Sequence, residues 1–395
     1  MEQVDTVRSG CESRHAGASE LRADAPSGAS CHYGEATVTA PGRVNLIGEH
    51  IDYHGLPVLP IALRRSIRVH FQARADCQIR VTSGAYGTRE FAWKPGLTPV
   101  ARGDWENYLR AAAQAIAGKW GVMNGIDATI DADLPPAAGL SSSSALIVAV
   151  TLALLRANRR EATFEELMEI LPDGEQFVGT RGGGMDHAAS LGSRQGCASL
   201  IEFAPLAVRH IPIPAGWAFL VANSLHSAEK SGEVRDRYNA VRAAGTEALR
   251  ETGFRSYSEA LQGRTEDELS ALAAAKHLPP AFLHVVTEAF RVRHAVEAMR
   301  DDDAARFGRL LLASHASLRD RLEVSCPALD RLVDAAMDSG AVGARLTGAG
   351  FGGCAVVFCR RADLPKVHAG LAERFYSGNP DHILHAEPGP GAVNS

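Results

Sequence analysis

Apolar and polar positions change rhythm twice along the chain. Residues 1–33 carry Ser, Gly, Ala and charge without periodicity, the pattern of a flexible lead-in. From Glu35 the runs ATVTA, VNLIG, SIRVHFQAR and CQIRVTS predict strands. DWENYLRAAAQAIAGKW then takes helical spacing, with Asp104 placed to cap it. IDATIDADL alternates like a strand. SSSSALIVAVTLALLRA is apolar on all sides, as in a buried helix too short to span a bilayer. Beyond Ile213 helical patterns dominate, among them EKSGEVRDRYNAVRAAGTEAL and FLHVVTEAFRVRHAVEAMR, while AFLVAN and CAVVFC return to strand.

A β-rich first half and a helix-rich second half predict an α+β protein of two domains, joined near residues 204–214 where prolines cluster. The division is a lead-in over 1–33, an N-terminal domain over 34–208, a C-terminal domain over 209–388 and a loose tail over 389–395. The length of 395 residues and 46% hydrophobic content suit this size of core. With 22% charged residues and a net charge of −5 there is no basic footprint for nucleic acid or a membrane surface. Seven scattered cysteines without a CxxC pair indicate free thiols in a reducing compartment. The first twenty residues show no apolar signal core, so a cytoplasmic location is expected. The histidines, His15 and His226 among them, lack metal-ligand spacing.

Against this background GRVNLIGEHIDYHG, residues 42–55, stands out. A strand-like Val44–Ile47 runs directly into Glu49, His50, Asp52, Tyr53 and His54, as a core strand does when it ends at a ligand pocket. Three glycine-rich stretches accompany it. In LPPAAGLSSSSAL, Gly139 permits a turn and serines precede the buried helix, whose N-terminal N–H groups suit phosphate; an ordinary serine cap is the plainer alternative. TGAGFGG satisfies GxGxxG through Gly348, Gly350 and Gly353, yet it leads into a strand. A dinucleotide fingerprint must instead follow a strand and open a helix. A loop closing on a neighbour or ligand fits better. GTRGGGMDHAAS holds Asp186 after three glycines, which a helix cap also explains.

Taken in this order, these stretches resemble the GHMP small-molecule kinases, and GRVNLIGEHIDYHGLPVLP resembles the galactokinase signature. The likeness covers Ala36 to Ala386. GEHIDY, GLSSSSAL, GTRGGGMD, SLIEF and LTGAGFGG look closest to the N-acetylgalactosamine kinase and yeast galactokinase branch. The resemblance implies a two-lobed fold with the active site between the lobes, and ATP-dependent phosphorylation of galactose at C1. By it, Arg43 sits near the anomeric hydroxyl and the γ-phosphate, and Asp186 is the catalytic base. Glu49, His50 and Asp52 hydrogen-bond the sugar, and the Gly183 backbone lines it. Trp105 lies near adenine, Gly139 and Ser141, Ser142 and Ser143 wrap the phosphates, and Ser143 and Glu175 serve Mg²⁺. A monomer is expected.

Phosphoryl transfer needs a phosphate cradle, charge neutralisation and a positioned base. An uncharged sugar needs directional hydrogen bonds from fixed side chains. The motifs meet both needs. Two departures remain: Glu233 stands near the family's sugar-contacting tyrosine, with Tyr238 too far along the predicted helix to replace it. His54–Gly55–Leu56 replaces a polar residue and two glycines. They keep open a related sugar such as N-acetylgalactosamine, and a non-catalytic sugar- and ATP-binding sensor is a further alternative.

Overall fold

The computed structural model describes residues 36–134, 139–177, 179, 182–226 and 232–394; the predicted lead-in lies outside them. Residues from Glu35 onward form one compact unit. In chain order the strands are β1 (Ala36–Ile47), β2 (Leu59–Ala73), β3 (Gln78–Ser83), β4 (Gly87–Ala92), β5 (Ile126–Ala132), β6 (Cys197–Phe203), β7 (Leu206–Pro212), β8 (Trp217–Asn223), β9 (Gly343–Thr347), β10 (Cys354–Arg360), β11 (Ile383–His385) and β12 (Val393–Asn394). The helices are α1 (Glu106–Trp120), α2 (Ser142–Ala157), α3 (Phe164–Phe177), α4 (Met185–Gly192), α5 (Gly232–Thr252), α6 (Tyr257–Leu261), α7 (Glu266–Lys276), α8 (Pro280–Arg300), α9 (Ala304–Asp320), α10 (Pro327–Asp338) and α11 (Leu364–Tyr376).

Two sheets carry the architecture. The first runs β12-β1-β2-β5-β3-β4, antiparallel except for the β3–β5 pair. The two predicted strands ATVTA and VNLIG are one, β1, which shifts register between Pro41 and Arg43 and again between Asn45 and Ile47. Helices α2 and α4 pack against β1 and β2, and α1 packs against α2 and α3. The apolar-all-round reading of α2 holds: Leu146, Ile147, Val148, Val150, Leu154 and Leu155 are all buried. Each such side chain contributes roughly 1.5–3 kcal/mol, which anchors the helix and therefore its N-terminus.

The second sheet runs β11-β8-β10-β9, all antiparallel. Alternate residues of β8 enter different cores: Trp217, Phe219 and Val221 one, Ala218, Leu220 and Ala222 another. Burial on both faces explains why AFLVAN and CAVVFC read as unbroken apolar runs. Helices α5, α6 and α7 pack on α8, and α8 lies against α9 and β1.

Two expectations need correcting. Proline-rich 204–214 is chiefly the β6–β7 hairpin, and the chain passes to the second sheet only after Pro212. The tail is bound rather than loose: Gly389, Gly391 and Ala392 donate to the Ala62, Ser193 and Ser190 carbonyls, and β12 extends the first sheet beside β1. Among the described residues no helix is long and apolar enough to cross a membrane. The cysteines Cys77, Cys197, Cys326, Cys354 and Cys359 are free thiols.

Candidate active site

A cleft of about 490 Å³ opens where β1 runs out of the first sheet. Its entry point is Gly42, where a Cβ would lie 2.5 Å from Leu134 Cδ2 and 2.7 Å from the Leu140 carbonyl. Glycine is the residue that fits, and the register shift beside it turns Arg43 into the cleft. Arg43 Nε and Nη2 each reach Asp186 Oδ1 at 2.7 Å, and Nη1 donates to the Gly139 carbonyl at 2.9 Å. Ser141, at the start of α2 with φ +57°, donates its hydroxyl to Asp186 Oδ2. Asp186 therefore is not a helix cap. Gly184 precedes α4, and the carboxylate in its first turn is held by an arginine and a serine. Burial acts to raise its pKa, but the Arg43 charge and the Ser141 hydrogen bond prevail and hold it below the usual carboxylate range.

Asp52 behaves oppositely. Burial and the neighbouring Asp186 charge push its carboxyl up to about 7, although the Tyr53 and Gly183 N–H groups partly offset this. Gly183 donates to Asp52 Oδ2 at 3.1 Å. A Cβ there would lie 2.4 Å from both Asp52 C and Tyr53 N, so the glycine lets two backbone segments touch. Two neighbouring carboxyls of the cleft thus differ: Asp186 stays ionised, and Asp52 titrates near neutrality.

His50 and Glu49 are more committed to the protein than expected. His50 has φ +60°; its Nε2 donates to the Ala349 carbonyl at 3.1 Å, and its Nδ1 accepts from the Tyr53 hydroxyl at 2.8 Å. Both ring nitrogens are used, so the expected hydrogen bond from His50 to a sugar is replaced by a scaffolding role. Burial lowers its pKa, which keeps the ring neutral. Glu49 Oε1 accepts from the Gly348 N–H at 2.7 Å and the Thr347 hydroxyl at 3.2 Å and lies 3.5 Å from Arg345 Nη2. The loop Gly348–Gly353 closes on its neighbours, as its context suggested.

Of the remaining expected residues, Gly139 and Ser143 line the cleft, whereas Ser142 does not. Trp105 does not line it either. Its indole N–H donates to the Tyr86 carbonyl at 3.2 Å, and its ring lies beside Tyr86 and Arg89. From this segment Pro99, Val100, Arg102, Gly103, Asp104, Asn107 and Tyr108 line the cleft instead. Glu175 falls within α3, with its side chain outside the described residues, as is that of Glu233.

The sequence placed Tyr238 too far along its helix to reach the site, yet the fold brings it there. It lines the cleft with Val234 and Arg235, its ring 5.4 Å from His50 and 5.8 Å from Tyr53. Further along the same face of α5, Arg242 lies 5.7 Å from the Tyr53 ring and Gly245 abuts His54. The spacing 235, 238, 242, 245 is one helical stripe, which the periodicity of α5 could have revealed. His54 points away from the cleft, between Tyr53 at 4.7 Å and Tyr257 at 4.9 Å, and Leu56 is buried in the core.

A serine-rich helix start, an arginine–aspartate pair and a glycine loop around one cleft between two α/β layers define a small-molecule kinase of the GHMP class. Residues 107–194 match the family model for the GHMP kinase N-terminal domain, and residues 295–377 match that for the C-terminal domain. Residues 30–73 match the galactokinase galactose-binding signature. A galactokinase of Roseiflexus sp. (strain RS-1) is 35% identical over 92% of this chain and 95% of its own. One from Chloroflexus aurantiacus is 38% identical over 80% and 82%. The crystal structure of Lactococcus lactis galactokinase complexed with galactose superposes with a TM-score of 0.83 at 26% identity, covering 91% and 95%. Mevalonate kinase of Methanococcus jannaschii, at 17% identity and a TM-score of 0.61, shares the fold. The chain belongs to the galactokinase family.

Proposed function

We propose that the protein is an ATP-dependent kinase that transfers a phosphoryl group to the C1 hydroxyl of galactose, giving galactose 1-phosphate and ADP. The observation that carries this is the partly buried Arg43–Asp186–Ser141 cluster facing Asp52 across one cleft. Galactose lies on the same family's architecture in the Lactococcus lactis complex.

The residues present fit a nucleotide. Ser141 gives its hydroxyl to Asp186 rather than capping α2, which suits the helix start to anionic phosphate oxygens. Ser143 lines the same wall and fits Mg²⁺, which in phosphate sites draws one or two protein ligands. Mg²⁺ supplies neutralisation of phosphate charge when bound; Glu175 is proposed as its second protein ligand.

Asp186 orients the anomeric hydroxyl and receives its proton. With its pKa held low, it is a weak base, which suits a loose transition state in which proton transfer comes late. Arg43 bridges this base and the phosphoryl group, countering charge on the transferring oxygens. Asp52 and Glu49 read adjacent sugar hydroxyls, the Gly183 backbone lines the ring, and Tyr238 walls the far side. Because His54 and Leu56 lie off the cleft, one of the two sequence features that opened N-acetylgalactosamine as the substrate no longer supports it. The intact Arg43–Asp186 pair favours turnover over a sensor role. We place the boundary between the two lobes after Pro212, where the chain leaves β7 for β8, and read the protein as a cytoplasmic monomer; its free thiols suit a reducing compartment.

A panel of sugars with ATP and Mg²⁺, following ADP release and the position of the new phosphate, tests the reading. Galactose phosphorylated at C1 is the expected outcome; no ADP release with any hexose would favour a sensor.

A further inference from the structure

Where β1 leaves the sheet for the cleft, side chains remote in sequence satisfy its backbone. The Gly48 N–H donates to Glu288 Oε1 at 2.9 Å, and the Glu49 carbonyl accepts from His284 Nε2 at 3.0 Å. The Asn45 and Leu46 carbonyls accept from Arg345 Nη1 at 3.2 and 3.0 Å. His284, Glu288 and Arg345 are fully buried. None of them lines the cleft.

The chemistry of each partner is fixed. His284 Nε2 faces a carbonyl, so it carries the proton, and Nδ1 accepts from the Ser317 hydroxyl at 2.9 Å. Burial pulls its pKa down to about 3, so this neutral tautomer persists. Glu288 also accepts from Ser314 at 2.7 Å and pairs with Arg291 at 2.6 Å. Burial alone would raise its pKa; the Arg291 and Arg345 charges and the Ser314 hydrogen bond prevail and hold it below the usual carboxylate range. Gly48, held between these groups, has φ +106°, and a Cβ on it would lie 3.0 Å from Val292 Cγ2 and Val58 Cα. The bend therefore has one conformation available, stitched to α8.

We propose that His284 and Glu288 are positioning residues for the sugar subsite. They lock the Gly48–Glu49 bend so that Glu49 and Asp52 meet the sugar at a fixed spacing, without touching it themselves. The inference rests on the galactose reading. Neither residue bonds to Arg43, Ser141 or Asp186, so the phosphate side is insulated from them.

The test uses the full chain with His284→Phe, His284→Gln and Glu288→Gln. Galactose affinity is measured by calorimetry, and KM for each substrate by ADP release. His284→Phe leaves the buried Glu49 carbonyl unpaired, and an increase of about tenfold in galactose Kd and KM is expected, equivalent to ~1.4 kcal/mol. ATP KM and kcat should stay within about twofold, the signature of lost uniform substrate binding. His284→Gln, whose amide nitrogen can stand in for Nε2, should restore most of the affinity. If His284→Phe does not fold, Glu288→Gln decides, because it keeps an acceptor for Gly48 while losing the charge; a rise of roughly threefold or more in galactose KM alone is expected. Unchanged galactose affinity, equal losses for both substrates, or a smaller active fraction at unchanged KM would each overturn the proposal. Wild-type protein that ignores galactose but phosphorylates another sugar overturns the galactose reading alone, and the same KM comparison is then made with that sugar. Wild type active on no sugar overturns both.

Discussion

The two sides of the cleft are built differently. On the proposed phosphate side, Arg43, Gly139, Ser141 and Asp186 come from β1, the segment leading into α2, and α4, which pack together and bond directly to one another. On the sugar side, Glu49, His50 and Asp52 sit on a bend whose partners are α5, α8, β9 and the Gly348 loop. The first is a compact charge cluster on a rigid helix start, and the second is a surface assembled from both halves of the chain. Transition-state charge needs the former, since preorganised dipoles and charges act over short fixed distances. Stereochemical recognition needs the latter, since hydroxyl groups must be read from several directions at once.

The largest expected effect breaks the phosphate side. Asp186→Asn removes the proton acceptor and the counter-charge to Arg43, and kcat should fall roughly 10²–10⁴-fold while calorimetry still detects ATP binding. Near-wild-type turnover would remove Asp186 from the chemistry. On the sugar side, Gly183→Ala forces a methyl group to 2.4 Å from the Asp52 and Tyr53 backbone. Overpacking of this kind costs about 1–3 kcal/mol, so galactose KM should rise by one to two orders of magnitude with ATP KM unchanged. An equal loss for both substrates would show that the two sides are not separable.

A smaller effect concerns pH. Because the Asp52 carboxyl titrates at about 7 in the sugar-free protein, it is increasingly protonated below that pH. Sugar hydroxyls donate best to the carboxylate, so galactose affinity should increase severalfold between about pH 6 and pH 8, and binding near pH 6 should release a proton. Calorimetry in buffers of differing ionisation enthalpy measures that release. Asp52→Asn should flatten the profile, and a profile that survives this change would exclude Asp52 as its source. The smallest effect sharpens the boundary of the sugar site. His54→Asn changes a residue packed against Gly245 and Tyr257, outside the cleft. The ratio of galactose to N-acetylgalactosamine turnover should move by less than about twofold; a larger change would return His54 to the specificity surface.

Much of this was legible in the residues themselves. The apolar run of α2, the alternation of β5 and the abrupt polarity of Glu49–Asp52 after Val44–Ile47 reflect local rules of burial and period, which act within a few residues. The same holds for the glycine stretches, because a backbone that must bend or approach closely leaves its mark in composition. What those rules could not reach were choices made by distant partners. Trp105 left the cleft because the Tyr86 carbonyl took its N–H, and His50 became scaffold because Ala349 and Tyr53 occupied its nitrogens. Tyr238 joined the cleft because one stripe of α5 packs along the Glu49–His54 bend. The sequence by itself determined the class of fold, the glycine- and serine-rich segments around the cleft and the presence of a polar pocket. Only the tertiary structure decided which polar atoms are spent on the protein and which remain for a ligand, because hydrogen-bond capacity is shared among groups that meet across 200 residues or more of chain.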